Sequence, residues 1–117
     1  MSILGIGVDV VDLARFAETM ERTPTLRSRL FTNAEAALSL ESMAGRFAAK
    51  EAFVKALKAP AGMSWQDIEI VTGPRGAPDF ELHGAALDRA KELGITALHV
   101  SISQDTSIAT AFVVAER

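Results

Sequence analysis

Residues 43–58 read MAGRFAAKEAFVKALK, and the fold turns on this stretch. At 100° per residue, Ala48, Ala49, Ala52, Ala56 and Ala59 gather along one broad side. The spacing therefore predicts a helix over Met43–Lys58 that lies close against a sheet or another helix. Ser42 is placed to cap it, and Pro60 and Gly62 end it. Glu51 and Lys55 are four apart, hence neighbours, and Lys58 continues their row; Arg46 and Lys50 form a second row. Phe47 and Val54 fall between these rows, while Phe53 and Leu57 flank the Arg46–Lys50 side. A helix that only solvated its charges would keep them apart from its aromatics. The interleaving points to charges held in a partly buried cleft; the plainer alternative is an exposed Glu51–Lys55 pair worth roughly a few tenths of a kcal/mol.

Upstream, Ile3–Val11 (ILGIGVDVV) reads as a strand. Alternation puts Leu4, Ile6, Val8 and Val10 on one face, expected to be an ordinary core face. Ile3, Gly5, Gly7, Asp9 and Val11 fall on the other, which carries little bulk just before Asp9. Asp12 can cap a helix from Leu13 to about Arg22, Pro24 interrupts it, and a short basic segment runs to Phe31. Thr32 and Glu35 match a capping box, predicting a helix from Asn33 to about Leu40. Downstream, Trp65–Thr72 is a strand, Gly73–Gly76 a turn, Asp79–Leu82 the hairpin partner, and Gly84–Leu93 an amphipathic helix closed by Gly94. Ala97–Ser103 and Ser107–Ala115 alternate as two strands joined around Gln104–Thr106. The order predicts an α+β class, with a largely antiparallel sheet packed with the long helix in a single domain over residues 1–117.

The chain has 117 residues, 49% of them apolar, with 12 Lys+Arg against 15 Asp+Glu, a net charge of −3 and no Cys. Such a composition excludes a disordered chain, and the small size makes help from neighbouring subunits an expectation. The mild acidity argues against nucleic acid as a partner. Without Cys there is no disulfide or thiolate metal site, which suits a cytoplasmic protein. No apolar run approaches the ~20 residues of a membrane helix, and Ile3–Val11 lacks a basic flank and contains Asp9, unlike a signal peptide. The charge is uneven: residues 13–31 sum to +2 and residues 43–59 to +3, so the remainder carries −8. Two basic zones on an acidic body point to anionic partners met at specific places.

Asp9 and Glu51, with several cations nearby, are what a magnesium–phosphate site requires: hard oxygen ligands on the ion, and Lys or Arg on the remaining phosphate oxygens. A lone Asp at a strand end is also a common turn or cap residue, and spacing alone does not bring the two carboxylates together. Gly5 and Gly7 lack the third glycine of a dinucleotide fingerprint. His99, Ser101 and Ser103 share one face of their strand, either a phosphate-contacting row or simply a solvent face. His83 precedes a helix and reads as a terminus residue.

Gly5-Ile6-Gly7-Val8-Asp9 followed by Arg15, then Gly45-Arg46-Phe47-Ala48-Ala49-Lys50-Glu51-Ala52-Phe53-Val54-Lys55-Ala56, then His99-Val100-Ser101-Ile102-Ser103, resemble the holo-(acyl-carrier-protein) synthase family of 4'-phosphopantetheinyl transferases. Asp67-Ile68-Glu69-Ile70 also falls in the family's usual place, and the resemblance spans nearly the whole chain. It implies an enzyme of fatty acid biosynthesis that moves the phosphopantetheine arm of coenzyme A onto a serine of an acyl carrier protein, either freestanding or a synthase domain, releasing adenosine 3',5'-bisphosphate. It also implies a homotrimer with the active site between adjacent subunits.

By position, the resemblance assigns magnesium to Asp9 and Glu51 and the reacting phosphates to Lys55. It assigns the 3'-phosphate to Arg46, and Lys50, His99 and Ser101 to the coenzyme A cleft. Arg15, Leu26 and Arg29 match the surface that receives the carrier protein, in agreement with the basic zone there. Glu51 is the candidate base for the serine proton. Gln104 stands where the family often has His, and Gln cannot take up a proton near neutral pH. A non-catalytic coenzyme A or carrier-protein binding module on the same scaffold is the alternative.

Overall fold

A computed structural model describes all of residues 1–117. The elements run β1 (Ile3–Asp12), α1 (Leu13–Arg22), α2 (Leu26–Leu30), α3 (Asn33–Ala36), α4 (Leu40–Leu57), β2 (Ile68–Thr72), β3 (Pro78–Leu82), α5 (Gly84–Glu92), β4 (Ala97–Asp105) and β5 (Ile108–Glu116). Three strands form one sheet in the order β1-β5-β4, and β2 and β3 form a separate hairpin. Every strand pair is antiparallel. The α+β architecture read from the sequence is thus present, and α4 is its centre.

The reason α4 lies where it does is steric. Gly5 and Gly7 face it so closely that a Cβ on either would sit 1.9 Å from the carbonyl oxygen of Ala56 or Ala52 respectively. Ala48, Ala49, Ala52 and Ala56 are buried opposite Ala109, Ala111, Val113 and Ala115 of β5. Small residues on both surfaces bring the backbones together, and dispersion over that close contact replaces the bulk of large side chains. The far side of α4 buries Met43, Phe53 and Leu57 with Ile68 and Ile70 of β2, and Phe53 packs on Phe80 of β3 at 5.3 Å between ring centres.

This packing inverts one expectation. The glycine face of β1, not the Ile/Val face, meets the core. Ile6, Val8 and Val10 are 53%, 49% and 60% exposed, and Ile108 and Phe112 of β5 join them on the same open surface. Both faces of β1 are apolar, so alternation alone does not choose between them; the match of glycine to alanine does.

Helix boundaries also shift. Ser39, rather than Ser42, caps α4, its side chain accepting from the Ser42 N–H at 3.2 Å, so α4 starts at Leu40 and α3 stops at Ala36. The Asp12 cap of α1 and the Thr32–Glu35 capping box form as expected. Trp65–Asp67 is a 3₁₀ turn leading into β2 rather than part of the strand. No helix is long and apolar enough to cross a membrane.

Candidate active site

A cleft of about 520 Å³ opens between the end of β1, α1, α2 and the outer face of α4. Asp9, Asp12, Arg15, Leu26, Arg29 and Glu51 all line it. Strand alternation carries Asp9 toward α4 on the face that Gly5 and Gly7 keep free of bulk, so the carboxylate reaches the helix instead of solvent. Glu51 is one turn after Phe47 on α4, and both residues line the cleft. Its apolar wall is a run of aromatics: Phe16 stacks on Phe47 at 5.8 Å between ring centres, and Phe47 meets Trp65 at 6.0 Å. Of the interleaved charges and aromatics of α4, only Glu51 and Phe47 line this cleft. Phe16 and Trp65 were not singled out from the sequence, because they come from elements that only the fold brings beside Phe47.

The electrostatics are uneven within this space. Burial and the neighbouring Asp9 charge together hold the Glu51 carboxyl above its ordinary range, against the opposing pull of Lys55. Lys55 Nζ donates to Asp9 Oδ1 at 3.1 Å and to the Val8 carbonyl at 3.0 Å. Two carboxylates sharing one cleft, one of them pushed toward protonation by burial and then by the other's charge, are a donor set that a hard divalent cation relieves. The residues present therefore fit such an ion. Arg15 and Arg29, both exposed, give the α1–α2 wall the opposite charge.

Other positions singled out in the sequence lie elsewhere. Arg46 donates from Nη2 to Thr72 Oγ1 at 3.2 Å and lines a separate pocket of about 220 Å³ against β2. Its Nε is buried without a partner. His99 and Ser101 stand on the open face of β4, where His99 pairs with Glu116 of β5. Gln104 is held by the Glu41 carbonyl, to which its side-chain amide donates.

Lys50 requires a correction. It was expected in the coenzyme A cleft, but its side chain is fully buried and all three ammonium protons are committed. Nζ donates to Glu35 Oε1 at 2.7 Å, to the Leu30 carbonyl at 2.7 Å and to the Trp65 carbonyl at 3.0 Å. Glu35, also buried, is the capping residue the sequence predicts and the counter-charge of Lys50 as well. A further group was missed: ligand atoms of Glu69, Glu81 and His83 lie within 4.8 Å of one another on the hairpin, with His83 already bonded to Glu69 at 3.2 Å.

A family model described as the 4'-phosphopantetheinyl transferase superfamily matches residues 5–112. Among curated relatives, a holo-(acyl-carrier-protein) synthase of Leifsonia xyli subsp. xyli is 56% identical over 98% of this chain and 98% of its own length. One from Clavibacter sepedonicus is 55% identical over 97% of this chain and 96% of its own. Among solved structures, the Neisseria meningitidis holo-(acyl-carrier-protein) synthase superposes with a TM-score of 0.90 at 33% identity, covering 99% of this chain and 100% of that one. The Helicobacter pylori enzyme in complex with coenzyme A gives 0.83 at 34% identity, covering 95% and 99%.

Proposed function

The chain belongs to the 4'-phosphopantetheinyl transferase superfamily, and from that premise we propose how its cleft works. It transfers the 4'-phosphopantetheine arm of coenzyme A to a serine of apo acyl carrier protein, leaving adenosine 3',5'-bisphosphate. The serine Oγ attacks the β-phosphorus, and the bond from that phosphorus to the bridging oxygen of the departing nucleotide breaks. Negative charge grows on the bridging and non-bridging oxygens.

Asp9 and Glu51 would hold magnesium, which, when bound, would neutralise charge on the pyrophosphate. The Lys55 ammonium, already within hydrogen-bond reach of Asp9, would donate to the phosphate oxygens as their charge rises. Glu51, ionised, would take the serine proton on a carboxylate oxygen. Arg15, Leu26 and Arg29 would receive the acidic carrier protein at the basic wall, delivering its serine to the cleft beside Glu51. The product would serve fatty acid biosynthesis in the cytoplasm.

The open apolar face of the three-stranded sheet supports the homotrimer. Ile6, Val8, Val10, Ile108 and Phe112 form an exposed patch of the kind that marks an interface between subunits. His99 and Ser101 stand on that same sheet face, so assembly would bring them beside a neighbouring copy. There they would help bind coenzyme A, with Arg46 at its 3'-phosphate.

The meeting of Asp9 and Glu51 in one cleft carries this reading. Intact-mass measurement of an apo carrier protein incubated with enzyme, coenzyme A and magnesium tests it. A gain of one phosphopantetheine is expected with the unaltered chain, and none with Asp9→Ala or Glu51→Ala, each still folded. Near-normal transfer by either variant would reject the carboxylate pair, while tight coenzyme A binding with no transfer by the unaltered chain would favour a binding module.

A further inference from the structure

We infer that Lys50 is a positioning residue for the carrier protein, acting by fixing the distance between the two walls of the cleft. The inference rests on the reading that Arg15, Leu26 and Arg29 receive that protein. The two carbonyls that Lys50 bonds, those of Leu30 and Trp65, belong to residues that themselves line the cleft. Leu30 ends α2, which carries Leu26 and Arg29; Trp65 begins the 3₁₀ turn on the opposite side of that connection.

Helix α2 has only five residues, and its N-cap, Thr25, makes no side-chain capping bond. A helix so short does not hold its own orientation, so its angle depends on what anchors it. Besides the packing of Leu26 and Leu30 on the core, two polar anchors hold it: the Lys50 ammonium at the Leu30 carbonyl, and the Gln66 side-chain amide donating to the Ser28 carbonyl. Lys50 is the stiffer, because Glu35 fixes it in turn: that carboxylate also accepts from the backbone N–H of Thr32 at 3.0 Å and of Ile70 at 2.9 Å. One buried ion pair thus joins α2, α3, α4, β2 and the 3₁₀ turn.

Asp9, Glu51 and Lys55 do not depend on this tie, since the glycine-on-alanine contact between β1 and α4 sets them, and Arg46, which shares a pocket with Glu35, is held separately by Thr72. Loosening Lys50 should therefore disturb the acceptor side of the cleft and leave the coenzyme A side in place. Displacements near 1 Å are enough to matter for a reacting hydroxyl.

The test is steady-state transfer with each substrate varied in turn. Lys50→Met leaves Glu35 buried without its counter-charge and can fail to fold for that reason alone. The paired variant Lys50→Met with Glu35→Gln removes both charges at similar volume, leaves an amide oxygen to accept from the buried Ile70 N–H, and keeps the experiment decisive. In the folded variant, KM for apo carrier protein is expected to rise by about tenfold or more, with KM for coenzyme A within about twofold of normal. Parallel changes in both KM values, or no change in either, would overturn the inference. So would loss of the fold in the paired variant, since the pair would then serve the whole structure and not the cleft wall. Absence of any transfer by the unaltered chain would instead reject the functional reading on which this one stands.

Discussion

Lys55 Nζ lies 3.1 Å from Asp9 Oδ1, a contact that joins the long helix to the first strand across 46 positions of sequence. The lysine side chain is about half exposed, 54%, while the aspartate is 18% exposed, so the ammonium reaches the carboxylate from the solvent side. A cation in that place gains little in the resting protein, where water screens it. It gains more when charge develops on a phosphate in a drier, occupied cleft.

Lys55→Met is accordingly expected to lower kcat by about a hundredfold or more while changing stability by less than about 1 kcal/mol. Transfer rates and urea denaturation of the same preparation check the two halves together. A loss of stability comparable to the loss of rate would mean that the contact is structural and not catalytic.

A second expectation concerns pH. The folded-state pKa of Glu51 lies above its ordinary value of 4.5, chiefly through burial and then through Asp9. Over the interval from that ordinary value up to the raised one, the folded protein binds more protons at this site than the unfolded chain does. Stability must then fall as pH rises through the interval. Relative to Glu51→Gln, the metal-free protein should lose ground with rising pH and level off above the raised pKa. Magnesium favours the ionised carboxyl, so the stabilisation it confers should grow over the same interval. Melting curves in chelator and in magnesium across that range are the measurement; a native protein that gains on Glu51→Gln with rising pH would contradict the assigned shift.

The close approach of β1 and α4 makes a third. Gly7→Ala would put a methyl group 1.9 Å from the Ala52 carbonyl oxygen, and Gly5→Ala would do the same at Ala56. Since the obstacle is backbone, no side-chain rotation relieves it. Each change should cost at least about 1–3 kcal/mol, measured by chemical denaturation. Introducing Ala52→Gly beside Gly7→Ala should rescue nothing, because the clash is with the peptide and not with the alanine methyl.

The same contact explains how far the sequence could be read. Gly5 and Gly7 on one strand face, and Ala48, Ala49, Ala52 and Ala56 on one helix side, are complementary surfaces; their match makes the helix-on-sheet packing legible in the sequence. What alternation could not supply was the face. Ile6, Val8 and Val10 look like core yet are exposed, because the helix that covers β1 approaches so closely that it takes the glycine face and not the bulky one. Asp9 and Glu51 were recoverable as a pair from chemistry and resemblance together. Lys50 was not: its partners are a carbonyl at Leu30, another at Trp65, and Glu35, all from separate elements, and a lysine in a basic row gives no local sign that it turns inward.

The open sheet face yields the last expectation. Val8 and Phe112 are directly paired across β1 and β5, and both side chains project from the exposed surface. If this face is the trimer contact proposed above, Phe112→Glu places an unpartnered charge within it and shifts the protein from trimer to monomer in sedimentation; an unchanged sedimentation coefficient would reject that contact. If the working cleft combines Asp9 from one copy with His99 from an adjacent copy, then Asp9→Ala and His99→Ala damage different halves of each site. Each variant alone forms only damaged sites, but trimers assembled from a mixture contain some in which an intact Asp9 meets an intact His99. Co-assembled mixtures should therefore transfer the arm faster than either variant by itself, and the gain should vanish when both chains also carry Phe112→Glu. Activity of the mixture equal to the mean of its parts would put the whole site within one chain, and His99 would then have to act from the surface where it already stands beside Glu116.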